Sequence, residues 1–101
     1  MIALFPSLIS ANLLKLKEEI ESLEPYCNGF HLDIMDFHFV PNLTFGPDFV
    51  NQIRKITKKK LSIHLMVEFP EKYLNRLELN SNDIISIHIE SPSTYKFEDL
   101  L

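Results

Sequence analysis

FHLDIMDFHFVPNLTFGP, residues Phe30 to Pro47, is the stretch on which the fold turns. It opens as an apolar run with a polar or sulfur-bearing group at every second position. Side chains along a strand alternate between faces, so His31, Asp33 and Met35 share one face and Leu32 and Ile34 the other. A histidine and a carboxylate side by side on a strand suit either a metal site or an acid/base pair. LSIHLM, Leu61 to Met66, repeats the pattern, with His64 and Met66 on one face and Ile63 and Leu65 opposite. Two strands that each offer a histidine and then a methionine can converge at one end of a barrel.

Outward from these two strands, helices and strands alternate. Ile2 to Phe5 reads as a first, buried strand, ended by Pro6 and Ser7. Asn12 to Leu23 is helical by period, with Leu13, Leu16, Ile20 and Leu23 at steps of three and four. Ser10 or Asn12 can cap its start, and Pro25 lies just past its end. Gly29 to Met35 is the second strand. Pro47 suits the first turn of a second helix, whose stripe is Phe49, Val50, Ile53 and Ile56. Leu61 to Met66 is the third strand. Glu68, Phe69 and Pro70 lead into a third helix that buries Tyr73, Leu74 and Leu77. Asn80 to Asp83 is a turn cluster, and Ile84 to Ile89 the fourth strand. Ser91 to Thr94 read as the start of a further helix, with Phe97, Leu100 and Leu101 as its first apolar positions.

Strands recurring every ~25–30 residues and alternating with helices imply a parallel sheet with helices outside. An open doubly wound sheet and a (β/α)8 TIM barrel compete. No glycine-rich phosphate fingerprint follows the first strand, which counts against a dinucleotide fold. Polar residues at the C-terminal ends of the strands favour the barrel, whose active sites occupy that face. A barrel of this kind needs roughly 200 residues. The 101 residues here hold about four β/α units, so the expectation is one domain, 1–101, forming half of an α/β barrel and truncated.

Composition narrows the function. With 46% hydrophobic and 24% charged residues the chain is globular rather than disordered. Net charge is −4, and the one dense basic run, Lys58 to Lys60, has no aromatic platform beside it. It reads as a solvated helix end, so no nucleic-acid partner is expected. Cys27 is the single cysteine, which forbids an internal disulfide and fits a reducing compartment. The apolar start lacks a basic region, contains Pro6 and gives way to charge at Lys15, unlike a signal peptide. No run approaches the ~18 apolar residues that span a membrane. A soluble, cytoplasmic protein without a membrane partner is expected.

PSLISAN (Pro6 to Asn12), HLDIMDFHFVPNLTFGP and SIHLMVEFPEKYL (Ser62 to Leu74) together resemble the N-terminal half of ribulose-phosphate 3-epimerase. The resemblance covers nearly the whole chain. The related allulose-6-phosphate 3-epimerases share these motifs, and LLKLKEEIE and FHLDIMD fit that branch at least as well.

The resemblance implies a (β/α)8 barrel of the pentose phosphate pathway, working as a homo-oligomer on a ketose phosphate. It implies one divalent metal, zinc, iron, manganese or cobalt, held by two histidines and two aspartates. Three of the four match His31, Asp33 and His64, and Asp33 matches the aspartate that also serves as acid/base. Ser7 matches a substrate-contacting serine, His64 also touches substrate, and Met35 and Met66 match methionines lining the reacting face. The fourth ligand, a second catalytic aspartate, and the phosphate-binding loops fall in the half that this chain lacks. The implied reaction inverts C3 of ribulose 5-phosphate to give xylulose 5-phosphate. The C3 proton is lost toward the C2 carbonyl, a metal stabilises the 2,3-enediolate, and a proton returns on the other face.

Plainer readings stand beside these. Asp33 in an apolar strand is costly without a partner and can be a structural ion pair. Single histidines and methionines on strands are more often core, and Ser7 alone is a strand-end turn residue. Asp36 turns away from Asp33 by alternation, so it reads as a loop brace together with His38 and Asn42. His88 is in phase with Ser86 and Glu90, which would let it face the site, but it is not among the chosen residues. A non-catalytic half-barrel that only assembles, or only binds metal, is the alternative of another class. Three positions depart from the family's pattern. Phe37 stands where Gly is usual, which implies strain or another loop path if that position has φ > 0. Asn12 replaces a common Asp, and Asn80 to Asp83 replace a Gly before the fourth strand.

Overall fold

The computed structural model describes residues 2–93. Among the described residues three α-helices and three strands alternate, with short 3₁₀ turns before and after the first helix: α1 (Leu16–Leu23), β1 (Gly29–Met35), α2 (Pro47–Ile56), β2 (Lys60–Met66), α3 (Pro70–Leu74) and β3 (Ile84–Ile87). The strands form one parallel sheet in the order β1-β2-β3. This α/β arrangement is consistent with part of a (β/α)8 barrel.

Register puts like against like. Phe30, Leu32 and Ile34 sit opposite Leu61, Ile63 and Leu65. All six are fully buried, with Ile20 of α1 and Val50 and Ile53 of α2, and Leu16 of α1 is nearly so. Each such aliphatic side chain contributes about 1.5–3 kcal/mol by leaving water. On the other face His31 lies opposite Ser62, Asp33 opposite His64, and Met35 opposite Met66. His64 in turn lies opposite Ser86 of β3. One face of the sheet is therefore core, and the other is a half-exposed polar surface.

Gly29 permits the close start of β1. A Cβ there would sit 2.3 Å from the Lys60 carbonyl oxygen and 2.6 Å from the Phe5 ring. In α2, Pro47 occupies the first turn, Asp48 faces the helix's positive end, and Arg54 and Lys55 its negative end. Arg54 does more than cap. Its Nη1 donates to both carboxylate oxygens of Asp83, at 2.8 and 2.7 Å, and Nη2 donates to the carbonyls of Thr57 and Lys59. Asp83 also accepts from the Leu61 and Asn80 N–H groups. This buried pair ties the start of β2 to the turn before β3.

Several expectations are corrected. Ile2 to Phe5 is not a ladder strand and is not buried: Ile2 is 82% and Leu4 53% exposed. The segment lies along β1, but only Ser7 pairs in register, with His31. Leu4 is tied through Asn28, whose side chain accepts from the Leu4 N–H, and Pro6 has no N–H to give. The first helix begins as a 3₁₀ turn, Leu13–Lys15, capped by the Asn12 side chain, and becomes α-helical at Leu16. The tighter turn puts Leu13 out of phase, and it is exposed. The third helix spans only Pro70–Leu74, so Leu77 packs on the core from the turn beyond it. The last strand ends at Ile87, not Ile89. The expected helix from Ser91 to Leu101 lies mostly outside the described residues, and Ser91 to Ser93 are not helical.

Candidate metal centre

Strand alternation and parallel register bring His31, Asp33 and His64 together. One ligand atom from each falls within 4.8 Å of the other two. His31 Nε2 lies 2.8 Å and His64 Nδ1 3.3 Å from the same oxygen, Asp33 Oδ1. Neither contact uses Oδ2. The three side chains are between a fifth and a third exposed, open enough for a small ligand to reach them. Two imidazoles and one carboxylate suit zinc or ferrous iron with positions left open. The outer nitrogen of His31, Nδ1, lies 3.2 Å from Ser62 Oγ, the kind of support that orients a ligating ring.

The other expected site residues lie around this group. Ser7 pairs with His31 across the sheet edge, and its buried Oγ has no hydrogen-bond partner. An unsatisfied buried hydroxyl costs about 1–3 kcal/mol, which a substrate hydroxyl placed there would offset. Met35 and Met66 are register partners at the C-terminal ends of β1 and β2. They sit one position pair beyond Asp33 and His64.

The loop after β1 is braced as its residues suggest. Asp36 accepts from the N–H groups of His38, Phe39 and Glu68. Burial pushes its carboxyl up, but these three backbone donors outweigh it and hold the group below the usual carboxylate value. Its charge and burial together push Tyr73 up, burial being the larger cause. His38 contributes its backbone N–H, and the Asn42 carbonyl accepts from Phe37. Thr44 Oγ1 donates to the Asp33 carbonyl and accepts from the Met35 N–H, stitching the loop to the strand. Phe37 keeps the left-handed backbone at φ 64°, and its ring is exposed. Of the two expectations for this position, the strained backbone is the one present.

His88, weighed from the sequence but not chosen, joins this group. Its Nε2 lies 2.7 Å from His64 Nε2, and the two rings stack with centroids 4.8 Å apart. Its Nδ1 lies 3.1 Å from Glu90 Oε1. The usable signal was its phase with Ser86 on the strand beside His64. Among the described residues no helix is long and apolar enough to cross a membrane.

Comparison with known proteins agrees with this layout. A profile of the "Ribulose-phosphate 3 epimerase family" matches residues 3–100. A protein of Synechocystis named ribulose-phosphate 3-epimerase is 46% identical over 90 residues, which is 88% of this chain and 39% of that protein. The Bacillus subtilis protein of the same name is 40% identical over 92 residues, 90% of this chain and 42% of that one. The chloroplastic ribulose-5-phosphate-3-epimerase of Arabidopsis thaliana is 41% identical over 90 residues, 88% and 32% of the two chains. The chain thus spans about two fifths or less of the length of these relatives. With the whole described sheet inside the matched region, the chain belongs to the ribulose-phosphate 3-epimerase family.

Proposed function

We propose that this chain carries the metal-binding half of a ketose-phosphate 3-epimerase site, acting on ribulose 5-phosphate and xylulose 5-phosphate. The observation that supports this most directly is the meeting of His31, Asp33 and His64 at one point of the polar face. His31 Nε2, Asp33 Oδ1 and His64 Nδ1 are the atoms that would hold a divalent cation. When bound, that cation supplies positive charge for the enediolate oxygens at C2 and C3. Asp33 Oδ2, outside both histidine contacts, is assigned to take the C3 proton as the C3–H electrons move toward the C2 carbonyl. Ser7 Oγ is assigned to a substrate hydroxyl, and Met35 and Met66 give the reacting carbon an apolar, polarizable wall.

Inversion needs a proton delivered to the face opposite the one Asp33 serves. Asp33 alone takes and returns a proton on one face. The proposal therefore separates two activities. Exchange of the C3 hydrogen with deuterium oxide requires Asp33 and the cation. Net epimerisation requires a second acid as well, from a copy of this chain or from further chain. A cytoplasmic homo-oligomer is part of this reading. Allulose 6-phosphate and fructose 6-phosphate form the second substrate pair, favoured by the wording of the α1 and β1 segments.

The test supplies Zn, Fe(II), Mn and Co in turn and follows C3 deuterium incorporation and xylulose 5-phosphate formation by NMR. Metal-dependent exchange is expected, falling about 10²–10⁴-fold in Asp33→Asn. His64→Ala should lose bound metal as read by equilibrium dialysis. Unchanged metal stoichiometry in that variant sinks the ligand assignment. Absence of exchange with every metal and both sugar phosphates leaves the half-barrel as an assembling or metal-binding unit without turnover.

A further inference from the structure

His64 has two ring nitrogens and two neighbours. Nδ1 faces Asp33 Oδ1 at 3.3 Å, and Nε2 faces His88 Nε2 at 2.7 Å. A neutral imidazole carries one N–H, so its tautomer decides which nitrogen can offer a lone pair to a cation. Asp33 and Glu90 are both carboxylates that only accept, so they compete through this pair of rings, and the contact lengths rank the two choices: 3.1 Å at Glu90 against 3.3 Å at Asp33. Glu90 is exposed, and as a carboxylate it only accepts. His88 Nδ1, 3.1 Å from Glu90 Oε1, therefore carries the proton of the His88 ring. His88 Nε2 is then bare and accepts. At 2.7 Å two bare nitrogens would repel, so His64 Nε2 is the donor. His64 Nδ1 is then bare toward Asp33 Oδ1, the longest of the three contacts at 3.3 Å and one whose oxygen already lies 2.8 Å from His31 Nε2.

The stacking of the two rings, with planes 18° apart, and the packing of Phe39 against His88 at 5.4 Å restrict both imidazoles to this arrangement. The register explains how the sequence builds it. His64 lies opposite Ser86, a small residue, and His88 follows two positions on, so its ring reaches back over the gap.

We propose that Glu90 and His88 form a positioning relay that fixes His64 as the Nε2–H tautomer and aims its Nδ1 lone pair at the point shared with His31 and Asp33. His88 and Glu90 act through His64. The ranking of contact lengths favours this tautomer in the free chain, and its purpose rests on the metal-site reading above. Partners of this kind typically change metal affinity about 10–100-fold when removed.

The experiment is a long-range 1H–15N correlation of the histidine rings in the metal-free chain, at a pH where the imidazoles are neutral, joined to a zinc titration. His64 is expected as a single Nε2–H tautomer. Glu90→Ala, an exposed change, frees His88 to protonate at Nε2; His64 should then shift to a mixture containing Nδ1–H, and zinc affinity should fall about 10-fold. His88→Gln offers an amide oxygen to the His64 Nε2–H and should restore both readouts nearly to the native values, whereas His88→Leu should not. An Nδ1–H His64 in the native chain overturns the relay, as does an unchanged tautomer in both Glu90→Ala and His88→Leu. If the native chain binds no zinc yet shows the Nε2–H tautomer with the variant pattern above, the relay stands and the metal reading fails.

Discussion

Phe37 shows what one side chain costs. A left-handed backbone at φ 64° costs a residue with a Cβ roughly 1–2 kcal/mol, while glycine's extra freedom in the unfolded chain costs roughly 0.5–1. The ring is exposed, so little packing is lost on removing it. Phe37→Gly should therefore stabilise the fold by up to about 1 kcal/mol and raise Tm by a few degrees in a thermal melt. A lowered Tm would mean that the ring holds the loop. At this scale the site was largely readable beforehand. Period-two alternation alone puts His31 with Asp33, and a matching strand brings His64 beside them. For His88 only its phase with Ser86 was readable; its contact with His64 depends on the β2–β3 register, and nothing local in either strand sets that. Nor did the sequence reveal that the Phe37 backbone stays left-handed, since the loop's own hydrogen bonds at Asp36 and Asn42 decide it.

Among the elements, β2 depends on a distant anchor. The Arg54 and Asp83 side chains are 8% and 2% exposed, and Asp83 also accepts the first N–H groups of the strand and the turn. Asp83→Ala leaves a buried guanidinium without its counter-charge, at a cost of about 3–5 kcal/mol. Small domains have about 5–15 kcal/mol in all, so urea denaturation should show a large fall in midpoint. Acid acts on the same anchor. For Asp83 burial pushes the carboxyl up, but the Leu61 and Asn80 N–H groups and Arg54 bring it below the ordinary value of 3.8. Asp36 is depressed likewise. A carboxylate depressed on folding stabilises the native chain above its unfolded value and loses that contribution as pH falls through the folded one. Stability should therefore decline below about pH 3.8, with a shallower slope in Asp36→Asn. The helices and strands themselves were legible from their periods. The Arg54–Asp83 tie was not, since it joins residues 29 apart. The brevity of α3 was not either, because Leu77 belongs to the apolar period yet packs from a turn.

At the scale of the whole molecule, among the described residues the sheet is unpaired beyond β3 and only loosely covered beside β1. On the β3 side Ile84 is 46% exposed, and in the segment lying along β1 Ile2 and Leu4 face solvent. Unpaired strand edges and exposed apolar residues promote association. Light scattering coupled to size exclusion should give a mass above the 11.8 kDa monomer at high concentration, and Ile84→Lys should lower it. A sharp monomer at every concentration would count against the oligomer. Where three segments meet, no such freedom exists. The Phe5 ring, the Lys60 carbonyl and the Gly29 backbone share one small volume, and any Cβ at position 29 would collide with both neighbours. Every missense change in the Gly29 codon adds that carbon. The gene can drift there only through synonymous third-base changes, so this codon should behave as a genetic fixed point even where neighbouring surface positions vary.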